Sequence, residues 1–168
     1  MSEERTYLDL ERDEAAQALR RWWETLQEHH DLRAQLRRCR TVNEVTLQPA
    51  YHRLVHALQR HARLNALSLA LVAALAAHIK ADTTEASFAA QMAAPRGEGG
   101  RARVSGLRFR RLLQVEEHER LLHPLIRIVR LLDGRANLLR LANDAYWWND
   151  RVRRQWAFDY YGHAPQEA

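Results

Sequence analysis

Apolar residues recur at helical spacing along nearly the whole chain. The first such series consists of Leu8, Ala15, Leu19, Trp22, Trp23 and Leu26. Intervals of three, four and seven residues place side chains on one face of an α-helix, and polar residues fill the positions between them. No segment shows the strict alternation that is typical of a half-buried strand. The pattern therefore predicts an all-α fold.

Capping residues predict where the next helices begin. Asp31 is the expected N-cap of a helix that ends at Arg40, and Thr41 stands three residues before Glu44, as in a capping box. Pro49 suits the first position of a helix, because its missing N–H would have no partner there. The apolar face of that helix consists of Tyr51, Leu54, Val55 and Leu58.

The segment Leu64–Ile79 is apolar almost all round, which predicts a central helix covered by its neighbours. Another helix is expected near Thr84–Ala94. Three of the six glycines then follow within Pro95–Arg101, which is typical of a loop or linker. We therefore predict two small helical bundles, residues 1–94 and 105–168, joined by a Gly-rich linker at 95–104.

The second half of the chain is also expected to be helical. A helix begins at Ser105 or Gly106, and a longer one over Glu117–Leu132 is expected to be kinked or broken near Pro124. The last helix is predicted over Asp150–Tyr161, with Gly162 ending it in a left-handed cap.

The composition excludes several classes of protein. A chain of 168 residues, 46% of them hydrophobic, is long enough to bury a core, and one cysteine excludes a disulfide framework. The longest apolar run, Ala66–Ala77, is too short to span a bilayer, and the polar first residues show no secretory signal. We expect a soluble cytoplasmic protein with no membrane partner.

Positive charge is concentrated in the middle of the chain. Of the 26 basic residues 25 are arginine, which a GC-rich genome would also produce. Residues 1–32 carry a net charge of −5, residues 33–130 carry +10 and residues 131–168 carry none. Genome composition explains the preference for arginine over lysine, but it does not explain this segregation.

The arginines form stripes on the predicted helices. Arg33, Arg37 and Arg40 share one helix face, and Arg53, Arg60 and Arg63 form a second row. Further arginines lie in the linker and just after it: Arg101, Arg103, Arg108, Arg110 and Arg111. Any single stripe is explained by a solvated helix face. Several stripes together with a pI near 10.0 favour a sequence-independent grip on phosphates.

No catalytic group, metal site or cofactor site is predicted. His52 and His56 stand four residues apart, but Arg53 replaces the glutamate of a His-Glu-x-x-His motif and no third ligand has a recognisable spacing. Cys39 lies between two arginines, which are expected to lower the pKa of its thiol, but no partner histidine follows at a known spacing.

Seven of the 13 aromatic residues lie within Tyr146–Tyr161. Val152, Trp156 and Tyr160 repeat every four residues, as expected for a buried stripe. Aromatic side chains also stack on the bases of single-stranded nucleic acid, so both uses of this segment stay open.

Four motifs occur in a characteristic order between Trp22 and Tyr161. They are Gln35-Leu36-Arg37-Arg38, Pro49-Ala50-Tyr51-His52-Arg53-Leu54-Val55, Arg108-Phe109-Arg110-Arg111-Leu112-Leu113, and Trp147-Trp148 followed by Trp156-Ala157-Phe158-Asp159-Tyr160-Tyr161. Together they resemble the CasB family, the small subunit of the type I-E CRISPR surveillance complex Cascade. The acidic first 31 residues and the Gly-rich linker have no match in that pattern.

The resemblance implies a non-enzymatic subunit built from two helical bundles. Its implied partners are the guide RNA, the target DNA, the large subunit, the repeated backbone subunit and a second copy of the chain. The implied role is to support the guide RNA–target DNA hybrid and the displaced strand, which needs backbone contacts only.

The candidate nucleic-acid-binding residues come from two sources. The matching motifs carry over Arg37, Arg38, Arg53 and Arg108. Helical phase and local charge add Arg33, Arg40, Arg60, Arg63, Arg101, Arg103 and Arg111, with Arg127 and Arg130 as further candidates. Two other functions stay open: a helical scaffold whose arginine faces bind acidic protein partners, and a hydrolase that acts on nucleic acid.

Overall fold

The computed structural model describes residues 7–165, which form helices joined by short turns. The elements are α1 (Glu14–Glu28), α2 (His30–Arg38), α3 (Val42–Val45), α4 (Pro49–Leu58), α5 (Ala66–His78), β1 (Ala81–Asp82), α6 (Phe88–Ala93), α7 (Gly106–Leu113), a 3-10 turn (His118–Leu121), α8 (Leu122–Leu131), β2 (Arg135–Ala136), α9 (Leu138–Tyr146) and α10 (Asp150–His163). The all-α prediction is confirmed.

Helix α5 lies at the centre of the fold. Every residue from Ser68 to His78 is buried, and α2, α3, α8 and α9 pack around the helix. Most of its side chains are alanine or leucine, so the surrounding helices approach closely without leaving voids. This confirms the predicted central helix.

Side-chain caps explain where most helices begin. A side-chain oxygen of the N-cap residue accepts a backbone N–H in the first turn of seven described helices. These caps are Asp13, Thr41, Asn65, Ser87, Ser105, Asn137 and Asn149. The predicted cap Thr41 is confirmed, as is the predicted start of a helix at Ser105 or Gly106.

Three predicted helix ends are wrong. Helix α2 begins at His30, with only His29 between it and α1, so Asp31 lies in its first turn and does not cap it. The same helix ends at Arg38, so Arg40 lies beyond it and not on its face. Helix α10 runs through Gly162 to His163, because the N–H of Ala164 still donates to the carbonyl of Tyr160. The break near Pro124 is confirmed, since the 3-10 turn meets α8 two residues before the proline.

All five tryptophans connect elements that are distant in sequence. The indole N–H of Trp22 donates to the Ala50 carbonyl at 2.9 Å, and that of Trp23 to the Ile79 carbonyl at 3.2 Å. The other three donate to Leu8, Val115 and the carboxylate of Asp144. These hydrogen bonds satisfy the polar atom of each large ring, so the ring contributes its apolar surface to packing.

The described residues include one parallel pair of strands, which the apolar pattern did not predict. Ala81 pairs with Arg135 and Asp82 with Ala136. Each strand has two residues, too few to show an alternating pattern. The pair joins the residues after α5 to the residues before α9.

The predicted linker at 95–104 is held by backbone hydrogen bonds. Pro95 and Ala102 form an antiparallel bridge, and the N–H of Val104 donates to the carbonyl of Met92 at 2.9 Å. A side chain at Gly100 would place its Cβ 1.9 Å from the Arg96 carbonyl oxygen, so only glycine fits this turn. Buried side chains before and after the loop share one core, and α6 packs against α10. The division into two bundles stays a prediction.

Asp82 links three elements through its carboxylate, and its side chain is only 9% exposed. One oxygen accepts from Arg20 of α1 at 2.7 Å, and the other accepts from the backbone N–H of Leu138 at 3.0 Å. Leu138 is the first residue of α9, so Asp82 caps that helix from a distance of 56 residues in sequence.

We expect Asp82→Ala to lower the free energy of unfolding by about 2–3 kcal/mol, because Arg20 and the first N–H of α9 both lose their acceptor. Urea denaturation followed by tryptophan fluorescence measures the change. Glu85→Ala, three residues later and exposed, is the matched control and is expected to cost less than about 0.5 kcal/mol. Equal losses in the two variants would contradict this role of Asp82.

Candidate nucleic-acid interface

The structure leaves most of the predicted arginines exposed. Nine of the eleven are exposed, and within residues 7–165 none of these nine has a guanidinium nitrogen within 4.0 Å of a carboxylate oxygen. These nine are Arg37, Arg38, Arg40, Arg53, Arg60, Arg63, Arg101, Arg108 and Arg111. The two half-buried exceptions are Arg33 and Arg103.

Arg33 is hydrogen-bonded to the C-terminal end of the central helix α5. Its Nε donates to the carbonyl of Ala77 at 3.0 Å, which satisfies one of the last carbonyls of α5. Burial, together with the neighbouring charge of Arg37, lowers the pKa of Arg33. One edge of this guanidinium is therefore committed to the fold.

Three arginines converge around His78 at the C-terminal end of α5. The imidazole is 5% exposed, and burial and the charges of Arg37, Arg130 and Arg33 lower the pKa of His78 to about 4. The histidine is therefore neutral at pH 7 and adds no charge. We call Arg33, Arg37, Arg130 and His78 the α5-end cluster. It joins residues of α2 and α8 that are nearly 100 positions apart.

The Gly-rich loop lies beside the turn that follows Arg130. Arg103 pairs with Asp133 of that turn at 3.8 Å, so part of its charge is already matched. Arg101 is exposed and its carbonyl accepts from the backbone N–H of Arg96 at 2.8 Å. The loop thus adds one exposed arginine and one paired arginine.

A groove of about 630 Å³ runs between α1 and α4. Arg53 of α4 and Arg60 of the turn after α4 line one side, and Arg21 of α1 lines the other. Ala18, Trp22 and Ala57 also line the groove and give it an apolar part. Arginines on two opposed helices are suited to hold an extended polyanion between them.

Arg21 is a candidate that the sequence did not reveal. It lies in the acidic segment 1–32, where four arginines among nine acids give no sign of a basic surface. Only the packing of α1 against α4 brings Arg21 to the same groove as Arg53.

The remaining candidates are not among the residues that form these two sites. Arg40 lines a depression of about 520 Å³ together with Arg120 and His123. Arg38 lies in the last turn of α2, and Arg63 lies in the turn between α4 and α5. Arg108 and Arg111 lie on the exposed side of α7.

The expected effect of the arginines on Cys39 is wrong. The thiol is buried and donates to the carbonyl of Gln35 at 3.3 Å. Burial, with a smaller effect of Glu44, raises the pKa of Cys39. The neighbouring arginines Arg38 and Arg40 do not lower it, because their side chains are exposed to water. Cys39 is therefore an unreactive core residue.

The two histidines considered for a metal site bond to the protein instead. Nε2 of His52 lies 2.7 Å from the Thr46 carbonyl, and Nδ1 of His56 lies 3.4 Å from the Gln59 amide. Among the described residues, no three metal-ligating side chains come together. The helices of residues 7–165 are also all too short or too polar to cross a bilayer.

The α5-end cluster predicts a low pKa for His78, which an NMR titration of its imidazole protons measures directly. We expect a midpoint near pH 4 in the wild type. Arg37→Gln or Arg130→Gln removes one repelling charge and raises the pKa, whereas Arg127→Gln on the same helix as Arg130 is expected to leave it unchanged. A midpoint near 6.5 in the wild type would contradict the burial of His78 among these charges.

The same shift has a consequence for stability. The unfolded state binds a proton at His78 near pH 6.5 and the folded state only near pH 4, so this group lowers the free energy of unfolding as the pH falls between those values. Burial raises the pKa of Asp144 from 3.8 to about 6, which has the opposite effect in nearly the same range. The two effects offset each other when the free energy of unfolding is measured against pH. In His78→Gln only the effect of Asp144 remains, so we expect the free energy of unfolding of this variant to fall, relative to the wild type, as the pH rises from 4 to 6.

Comparisons with known proteins agree with the motifs. A profile of the family described as CRISPR-associated protein Cse2 (CRISPR_cse2) matches residues 32–161. A chain in the crystal structure of E. coli Cascade bound to a PAM-containing dsDNA target has a similar fold, with a TM-score of 0.66 and 22% sequence identity. The likeness covers 89% of this chain and 97% of that chain. A search of curated protein sequences finds no match.

The family profile spans more than three quarters of the chain and includes the four ordered motifs from Gln35 to Tyr161. Cse2 and CasB are two names for the same family, so the resemblance drawn from those motifs is confirmed. The chain belongs to the CRISPR-associated Cse2 family.

Proposed function

We propose that this protein is the small subunit of a type I-E Cascade complex, where it binds nucleic-acid backbone without sequence specificity. In this role it stabilises the guide RNA–target DNA R-loop and the displaced strand in antiviral defence. The observation that carries the proposal is the set of nine exposed arginines with no carboxylate partner among the described residues. Membership of the Cse2 family and the likeness to a chain of E. coli Cascade support it.

Arginine suits this role because its planar guanidinium donates two parallel hydrogen bonds to a phosphate and keeps its charge. Phosphate contacts carry no sequence information. In an RNA-guided complex they need not, because base pairing with the guide reads the sequence.

Modest contacts are sufficient for the proposed effect. The RNA–DNA hybrid that forms in an R-loop is about as stable as the DNA duplex it replaces. A few backbone contacts of about 1 kcal/mol each therefore shift the balance toward the open state. The α1–α4 groove and the α5-end cluster are the proposed sites of these contacts.

The proposed partners are the guide RNA, the target DNA, the large subunit, the repeated backbone subunit and a second copy of this chain. The complex is placed in the cytoplasm, where its nucleic-acid targets are. The proposal gives this subunit no catalytic step, which agrees with the buried thiol and raised pKa of Cys39.

We expect Arg53→Ala combined with Arg60→Ala to weaken binding to a single-stranded oligonucleotide about 10- to 30-fold, at roughly 1 kcal/mol per contact. The slope of log affinity against log salt is expected to become less steep by about 1.4, because each of two lost phosphate contacts releases about 0.7 counterions on a single strand. Fluorescence anisotropy across a salt series measures both quantities.

The matched control is Arg12→Ala combined with Arg135→Ala, which removes two exposed arginines outside the predicted set that have no ion-pair partner among the described residues. The control is expected to keep the wild-type salt slope apart from a small change due to net charge. Equal effects of the two double variants would show that only overall charge matters and would contradict a site in the α1–α4 groove.

A complex reconstituted with the companion subunits and guide RNA tests the role itself. Permanganate reactivity of thymines in the displaced strand reports R-loop formation, which we expect the groove variant to reduce. Normal assembly with no dependence of R-loop formation on any exposed arginine would favour the helical scaffold, whose arginines meet acidic protein partners.

A further inference from the structure

The described aromatic side chains divide into two groups. Most of them are buried or half-buried in the core, including Trp156 and Tyr160, as the repeat of four predicted. Three are more than half exposed: Phe158 at 71%, Tyr7 at 58% and Tyr161 at 53%. All three lie on α10 or next to its first turn.

The exposed face of α10 combines aromatic rings with arginines. Arg151, Arg154, Phe158 and Tyr161 follow one another at intervals of three, four and three residues. This spacing places them on one stripe about 15 Å long, opposite the buried side of the helix. All four are exposed, and neither arginine has a carboxylate partner among the described residues.

The acidic residues of α10 are used elsewhere. Asp150 pairs with Arg153, and Asp159 accepts a hydrogen bond from Gln155 at 3.0 Å. Asp150 lies four residues before Arg154, at the N-terminal end of the stripe, but its carboxylate is paired with Arg153, and Asp159 lies off the stripe.

Packing holds the rings at both ends of the stripe. Tyr161 lies edge-on to Phe109 of α7, with ring centroids 5.8 Å apart, and Phe109 stacks on Tyr160 at 4.0 Å. At the other end Tyr7 stacks on Trp147 at 4.2 Å with an angle of 7° between the planes. Tyr7 also lies near Arg151, whose charge opposes the rise in the pKa of Tyr7 that burial causes, while Asp9 adds to that rise.

We propose that Tyr7, Arg151, Arg154, Phe158 and Tyr161 form a stacking platform for the unpaired bases of single-stranded nucleic acid. The rings take the faces of the bases and the guanidinium groups take the phosphates between them, without sequence preference. A duplex offers no free base faces, so the platform selects single strands. The inference rests on the proposed function and assigns the single strand to a surface separate from the α1–α4 groove.

The test uses the full chain and two labelled probes of equal length, an oligothymidylate and an oligonucleotide whose sites are abasic. The abasic probe keeps the phosphates and lacks the bases. Fluorescence anisotropy at low salt gives the affinity of each variant for each probe.

We expect Phe158→Ala combined with Tyr161→Ala to weaken binding of oligothymidylate at least about fivefold, because stacked bases are lost. Binding of the abasic probe is expected to stay at the wild-type value. Phe158→Leu is expected to behave like Phe158→Ala, since leucine keeps apolar area without a ring face, whereas Tyr161→Phe is expected to retain binding. Arg151→Ala with Arg154→Ala weakens binding of both probes.

Leu47→Ala is the matched control, since it removes another exposed apolar side chain far from α10 and is expected to change neither affinity. Far-ultraviolet circular dichroism checks that the variants are folded. Equal losses for both probes, or full binding by Phe158→Leu, would overturn the stacking platform.

The outcomes also separate this inference from the proposed function. If Arg53→Ala with Arg60→Ala weakens binding while the aromatic variants do not, the platform is wrong and the proposed function stands. If the aromatic variants keep their affinity for oligothymidylate but no longer join the reconstituted complex, α10 is a protein-docking surface and the inference is wrong. If the wild-type chain binds neither probe, the platform is wrong, and R-loop formation by the complex decides the proposed function.

Discussion

The burial of α5 is the constraint on which the rest of the structure depends. A helix that is apolar on every side has no face for water, so other elements must cover it all round. Helices α2 and α3 from before it and α8 and α9 from after it supply that cover. Its C-terminal carbonyls still need donors, and Arg33 meets one of them. The core therefore brings arginines of separate helices to one end of α5.

The surface then carries a positive charge that the described acids do not match. Several acidic groups are engaged within the fold: Asp82 holds Arg20 and α9, Asp133 pairs with Arg103, and Asp144 accepts from Trp156. Exposed arginines reduce the stability of the fold only slightly, because water and salt screen their mutual repulsion. Counterions are released when such a surface binds a polyanion, and this is the physical basis of the proposed contacts with nucleic acid.

Much of the helical fold could be predicted because the signals are local. The caps Thr41 and Ser105 are single side chains that accept a hydrogen bond from their own helix. The sequence of α5 is apolar at nearly every position, which by itself predicts a buried helix. The candidate site was predicted only in part. The predicted arginine row identified Arg53 and Arg60, although Arg60 lies in the turn after α4. The groove they line also needs Arg21, whose helix is packed against α4 by contacts between distant residues. The predicted direction of the shift in the pKa of Cys39 was wrong, because neighbours in sequence indicate the nearby charge but not the burial of the thiol.

The sequence alone determined the fold class, the family and the excess of arginine in the middle of the chain, because spacing, motif order and composition are properties of the chain itself. The tertiary structure decided which arginines share a surface, since Arg37 and Arg130 meet at His78 only after α2 and α8 pack on α5. It also decided which aromatics are core and which face water. Trp156 and Phe158 are two residues apart on α10. Trp156 is buried and Phe158 lies on the exposed side, because α6 covers only one side of the helix.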